Sequence, residues 1–162
     1  MLPPSSGDHC NTPPPVLEVV LAMGPIRLDP CSNLTSIVKA AVAWRRVDDG
    51  LSRSWLSDER GVVYVNPPYH KDLIGQWVRK CAEEASAGCE IILLVPARTE
   101  QAWFLDHVLP HAAAICFWRG RIKFLGQRSG ARFPSALVYY GPRPRHFRQM
   151  ARRRGRTVIL NG

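Results

Sequence analysis

Four consecutive residues, Asn66-Pro67-Pro68-Tyr69, carry the clearest chemical potential in the chain. The asparagine amide offers a carbonyl acceptor and two N–H donors, and the tyrosine offers an aromatic face with a hydroxyl. The two prolines between them stiffen the backbone and contribute no N–H. The apolar run before them, Val62-Val63-Tyr64-Val65, is bounded upstream by Gly61 and reads as a buried strand. An amide and an aromatic ring are thus fixed at the carboxyl end of a strand, where open α/β sheets bind ligands. An ordinary strand-ending turn with a surface tyrosine has the same local sequence, so the neighbouring elements decide the matter.

Two further strand ends carry polar groups. Asp29 follows Ile26-Arg27-Leu28, and Arg98 follows the continuous apolar run Ile91 to Val95. If the three strands are parallel, Asp29, Asn66 and Arg98 converge on one edge of the sheet and form a candidate site. Several chemistries are not supported. No G-x-G-x-x-G or P-loop pattern is present to cradle phosphates. No Ser/His/Asp arrangement declares itself. Residues 119 to 162 contain no acid, so a carboxylate–metal nuclease has no cluster there. His107 and His111 are separated by Pro110, which breaks the helical face that metal ligation would need. Five cysteines, an odd number without a C-x-x-C pair, argue against a disulfide framework and a zinc site.

The elements that must hold these residues follow from periodicity. Pro14 to Met23 reads as a short helix with Thr12 as its cap, ending at Gly24-Pro25. Leu34 to Val47 has apolar residues at helical spacing, and Asp48-Asp49-Gly50 is a turn. Lys71 to Ala87 is the clearest amphipathic helix. Thr99 caps a helix running to about Leu109, and Ala113 to Trp118 is a further strand. Arg121 to Leu125 and Ser135 to Tyr140 read as strands joined by Gln127-Arg128-Ser129-Gly130, a terminal antiparallel hairpin. The expected fold is one open, mostly parallel α/β sheet with helices on both faces. Residues 1–11 are expected to be disordered, 12–141 to form the domain, and 142–162 to be a basic tail that packs little.

Charge is distributed unevenly. The net charge is +9, yet residues 119 to 162 hold twelve Lys or Arg and no Asp or Glu. Such an asymmetry is the footprint of a polyanion-binding face. Arg152-Arg153-Arg154 could be a solvated tail, whereas the basic residues of 119 to 132 alternate with apolar ones and are expected to be held in place. No apolar run reaches the length of a membrane span, and no signal-peptide pattern opens the chain, so the expected compartment is the cytoplasm.

The motif and its context resemble the phage and prophage DNA N6-adenine methyltransferases (Dam-like). The matching segments run in family order: Thr12-Pro13-Pro14, Leu28 to Asn33, Asp49-Gly50-Leu51 with Trp55, and Asn66 to Tyr69. Pro96 to Thr99 with Trp103-Phe104, Arg119 to Phe124, and Phe133 to Ala136 continue the match. The resemblance implies a Rossmann-like class I methyltransferase fold, S-adenosylmethionine as methyl donor and DNA as substrate, in a bacterial host cell. It implies no metal. Asn66, Pro67, Pro68 and Tyr69 would be catalytic. Asp29 would bind the cofactor's amino group, with Pro30, Cys31, Ser32 and Asn33 shaping its pocket and Thr12 and Pro13 beside it. Asp49 would reach the ribose or adenine, and Asp48 could serve equally. The family's broader relatives place a glycine-rich turn where this chain has Cys31-Ser32-Asn33. Arg98, Arg119, Arg121, Lys123 and Arg132 would contact phosphates; for Arg98 a surface ion pair with Glu100 or Asp106 is an alternative. The tetrapeptide alone is shared with enzymes that methylate cytosine N4, RNA or protein glutamine. A catalytically inactive nucleic-acid-binding module with this fold is the opposed reading.

Overall fold

The computed structural model describes residues 10–160. The expectation of disorder over residues 1–11 falls, for residues 1–9, outside the described part. Asn11 is buried and bridges to Leu125.

Seven strands form one mixed sheet in the order β2-β1-β3-β4-β6-β5-β7. They are β1 (Ile26–Asp29), β2 (Val42–Ala43), β3 (Val62–Val65), β4 (Ile91–Pro96), β5 (Ala114–Trp118), β6 (Ser135–Tyr140) and β7 (Gly155–Ile159). β1 pairs in parallel with β2 on one side and β3 on the other, and β3 pairs in parallel with β4. β6 runs antiparallel between β4 and β5, and β7 runs antiparallel along β5. β1 to β5 therefore point one way, and their carboxyl ends share an edge.

Alternate residues of β3 and β4 feed two cores, as the two-residue period of a strand requires, and an irregularity in β1 sends Ile26 and Leu28 to opposite sides. Ile26, Val62, Tyr64, Ile92 and Leu94 pack under α1 (Pro14–Met23) and α3 (Pro144–Ala151). Leu28, Val63, Val65, Ile91, Leu93 and Val95 pack under α2 (Lys71–Ser86) and a π-type turn, Phe104–Val108. In that turn Leu109 N–H donates to Phe104 O at 3.1 Å, where a regular helix was expected.

Four other expectations are corrected. The helix expected over residues 34–47 does not form, and only Arg46–Asp48 make a single 3-10 turn. Ala41 N–H donates to Ile26 O and Trp44 N–H to Asp29 O, so the segment serves the open edge of β1 instead. Leu34, Ile37 and Val47 stay exposed, because no neighbouring surface covers the stripe that a helix would present. Thr12 does not cap α1. The capping position is Pro13, without a side-chain hydrogen bond. Arg121 to Leu125 is not a strand of the sheet, and the hairpin expected between it and Ser135 to Tyr140 is absent, since β6 is paired antiparallel to β4 on one edge and to β5 on the other. The segment beyond Pro142 packs fully as α3 and β7, with Phe147 and Ala151 completely buried.

Candidate active site

β1 and β3 are neighbours whose following connections leave in opposite directions, β1 toward β2 and β3 toward β4. Such a switch point opens a crevice at the carboxyl ends of the strands. Asp29 ends β1, and Asn66 follows β3. They line one narrow cleft of about 230 Å³ (its open mouth included), together with Thr12, Cys31, Ser32, Asn33 and Tyr64. A larger groove against Arg27, Leu28, Trp44 and Trp55 contains none of the candidate residues.

Every polar atom of the Asn66 side chain is engaged. Nδ2 donates to Cys10 O at 2.7 Å and to Thr12 Oγ1 at 3.0 Å. Oδ1 accepts from the Tyr69 hydroxyl at 2.8 Å, which leaves one of its two lone pairs. Thr12 Oγ1 also lies 2.7 Å from the Tyr64 hydroxyl. Among the described residues no donor reaches Pro67 O, the other acceptor the motif presents. The Tyr69 ring is enclosed edge-on by Phe133 and Phe124, with centroids 5.5 and 6.1 Å away. Burial pushes the Tyr69 and Tyr64 hydroxyls well above the ordinary tyrosine range, so both stay protonated.

Asp29 is buried, and none of the described basic groups forms an ion pair with it. Burial raises its pKa to about 6, against the opposing hydrogen bonds from the Cys31 N–H and the Ser32 side chain. Its carboxylate is therefore a desolvated anion without a counter-charge, which favours a cationic ligand. Asn33 closes the far wall, donating to Asn11 Oδ1 at 2.7 Å and accepting from Thr35 N–H at 2.9 Å. Pro13 and Pro30 are buried, and neither lines the cleft.

Asp49 and Asp48 separate in the structure. Asp48 accepts from Arg45 N–H at 2.8 Å and holds a local turn. Asp49 sits in the left-handed region at φ 50°, exposed, with a carboxylate engaged by none of the described residues. Its neighbour Gly50 lies against Pro30, where a Cβ would stand 2.2 Å from Pro30 O. Two supports of this loop were not visible in the sequence. Trp55 Nε1 donates to Gly50 O, and Trp55 N–H donates to the buried Glu84 carboxylate, both at 2.9 Å. Lys80 pairs with that carboxylate at 2.6 Å.

Arg98, Arg119, Arg121, Lys123 and Arg132 are all exposed. The described residues form no ion pair with Arg98, so the pairing with Glu100 or Asp106 is not made. Residues 119–134 connect β5 to β6 at the carboxyl edge that bears Asp29 and Asn66. In this loop Ile122 and Phe124 are buried, while Arg121 and Lys123 between and beside them face solvent. Leu125 N–H donates to Asn11 O, and Ala97 N–H donates to Pro134 O, so the loop is tied to the site wall. No cluster of three or more His, Cys, Asp or Glu able to hold a metal ion occurs among the described residues. None of the described helices is long and apolar enough to cross a membrane.

Sheet and cleft define a mixed α/β protein with a cation-seeking carboxylate and an oriented amide in one crevice. A family model described as DNA N-6-adenine-methyltransferase (Dam) matches residues 1–136, and the chain belongs to that family. No curated protein and no solved structure matches it.

Proposed function

We propose that the chain is a Rossmann-like class I methyltransferase that uses S-adenosylmethionine to methylate N6 of adenine in DNA. The observation that carries this reading is the shared cleft of Asp29 and Asn66, an unpaired buried carboxylate beside an oriented amide. When bound, the cofactor supplies a methyl group on a sulfonium. Asp29 would hold its amino group, Pro30 to Asn33 would enclose the amino-acid end, and Asp49 would meet the adenosine end.

The chain's own residues have a defined task. An exocyclic base amine is a poor nucleophile because its lone pair is delocalised into the ring. Hydrogen bonds from its two N–H groups to Asn66 Oδ1 and Pro67 O favour a pyramidal nitrogen with the lone pair directed outward. That is orientation combined with electrostatic stabilisation of the developing charge. A target base must leave the duplex to reach this depth. Arg98 and the exposed basic residues of 119–132 suit phosphate contact around the mouth.

The test is methyl transfer to DNA with base analysis of the product. N6-methyladenine is expected, and Asn66→Ala should lower transfer by about 10³-fold or more while leaving cofactor affinity within about two-fold. Product at cytosine N4 would redirect the substrate assignment. Full activity in the variant would overturn the mechanism.

A further inference from the structure

Thr12 is not spent on capping α1, although its position before Pro13-Pro14 suits that role. The residue is 2% exposed, and its hydroxyl lies between Asn66 Nδ2, at 3.0 Å, and the Tyr64 hydroxyl, at 2.7 Å. We propose that Thr12 and Tyr64 are positioning residues that fix which way the Asn66 amide faces. This inference deepens the proposed function and rests on it for the catalytic consequence alone.

The argument starts from the symmetry of an amide. Asn66 can be flipped about its last bond, exchanging Oδ1 and Nδ2 with almost no change of shape. Only one of the two orientations presents a carbonyl to the Tyr69 side of the motif. Cys10 O is a pure acceptor, so the atom 2.7 Å from it must be a donor. Thr12 adds a second acceptor on the same side, provided that its own proton is directed elsewhere. Tyr64 O can take that proton, because Tyr64 is buried and its hydroxyl can accept as well as donate. With both Nδ2 protons committed, Oδ1 is turned toward the Tyr69 hydroxyl, on the side of the catalytic-motif loop. An aspartate at 66 would place one carboxylate oxygen against Cys10 O, acceptor against acceptor. The site is thus built for asparagine, with its amide state fixed by residues 54 and 2 positions upstream.

Thr12→Val keeps the side-chain shape and removes the hydroxyl. Loss of one oriented hydrogen bond should lower kcat about 10-fold, with the Kd for S-adenosylmethionine within about two-fold. Thr12→Ser should restore most of the loss, and Tyr64→Phe, which removes only an oxygen, should act in the same direction. The orientation is also readable without turnover. In ¹H–¹⁵N spectra of the wild type, both Asn66 side-chain amide protons should be protected from exchange, and Thr12→Val should release one of them.

Protected amide protons in a chain without methyl transfer would support the orientation and overturn the functional reading. Full activity with freely exchanging Asn66 protons would overturn the orientation and leave that reading intact. An equal fall in stability for Thr12→Val and Thr12→Ser, with no rescue of kcat by serine, would make Thr12 a mere packing residue and overturn the inference.

Discussion

At the scale of single residues, Asp29 links stability to function with a sign that can be checked. Its carboxyl has a pKa of about 6 in the folded chain, because burial disfavours the charged form. The unfolded chain releases that proton near the ordinary value of 3.8. Between these values the folded state holds a proton that the unfolded state has lost. The stabilisation from this group is therefore complete below about pH 4 and is lost as pH rises through about 6. At pH 7 the buried charge costs up to roughly 2–3 kcal/mol. Asp29→Asn should raise the Tm of the free protein at pH 7, with the gap closing toward pH 4, and should weaken S-adenosylmethionine binding at least about ten-fold. Calorimetry across that pH range checks both; a Tm gap that does not vary with pH would show that the carboxylate is solvated. The position of Asp29 at a strand end was legible from the apolar run before it and the proline after it, and its Oδ1 also makes the local turn open to an aspartate there, accepting from Cys31 N–H at 3.2 Å. The fate of Thr12 was not legible, since its partners Tyr64 and Asn66 lie more than 50 positions away and only strand packing brings them together.

At the scale of elements, the wall proposed to meet the cofactor depends on a loop whose order comes from elsewhere. Gly50 packs onto Pro30 O, Trp55 closes over it, and Glu84 of α2 anchors Trp55. Amphipathic spacing places Glu84 on the polar side of α2, yet it is buried, because Lys80 and the Trp55 N–H compensate its charge. Gly50→Ala should push the 48–51 loop off Pro30, lowering cofactor affinity by about ten-fold with a smaller loss of Tm; binding titration of the variant decides this. Unchanged affinity would show that Asp49 and its loop stand outside the cofactor site. The 119–134 loop is a second such element. Its alternation of apolar and basic residues was readable and looked like a strand, but β4 and β5 already occupy both edges of β6, its expected partner. The loop instead buries Ile122 and Phe124 and leaves Arg119, Arg121 and Lys123 outward. Replacing these three with glutamine should weaken DNA binding and reduce the slope of log K against log salt by about two to three. An unaltered slope would place the DNA on another face.

At the scale of the whole molecule, part of the concentrated positive charge is structural, whatever the rest of it meets. Arg143 pairs with Glu90 at 2.8 Å and donates to Met23 O, and Arg154 pairs with Glu18, so basic residues late in the chain lock α3 and β7 onto α1. Composition could not separate these from Arg152 and Arg153, which are exposed. The family match ends at residue 136, before α3 begins. Two views of residues 143–162 then make opposite forecasts. A solvated nucleic-acid tail could be removed with loss of DNA affinity alone. In the structure, its removal strips a fully buried Phe147 from its stack on Tyr139, 5.0 Å between centroids, and leaves the edge of β5 unpaired over five residues. We expect the chain ending at Pro142 to be insoluble or to unfold at least about 10 °C below the full chain. Phe147→Ala should cost about 3–5 kcal/mol by itself, whereas Arg152→Ser with Arg153→Ser should leave Tm unchanged. Thermal unfolding of the three variants beside the full chain separates the views. A truncated chain that melts with the full one would assign residues 143–162 to ligand binding rather than to the fold.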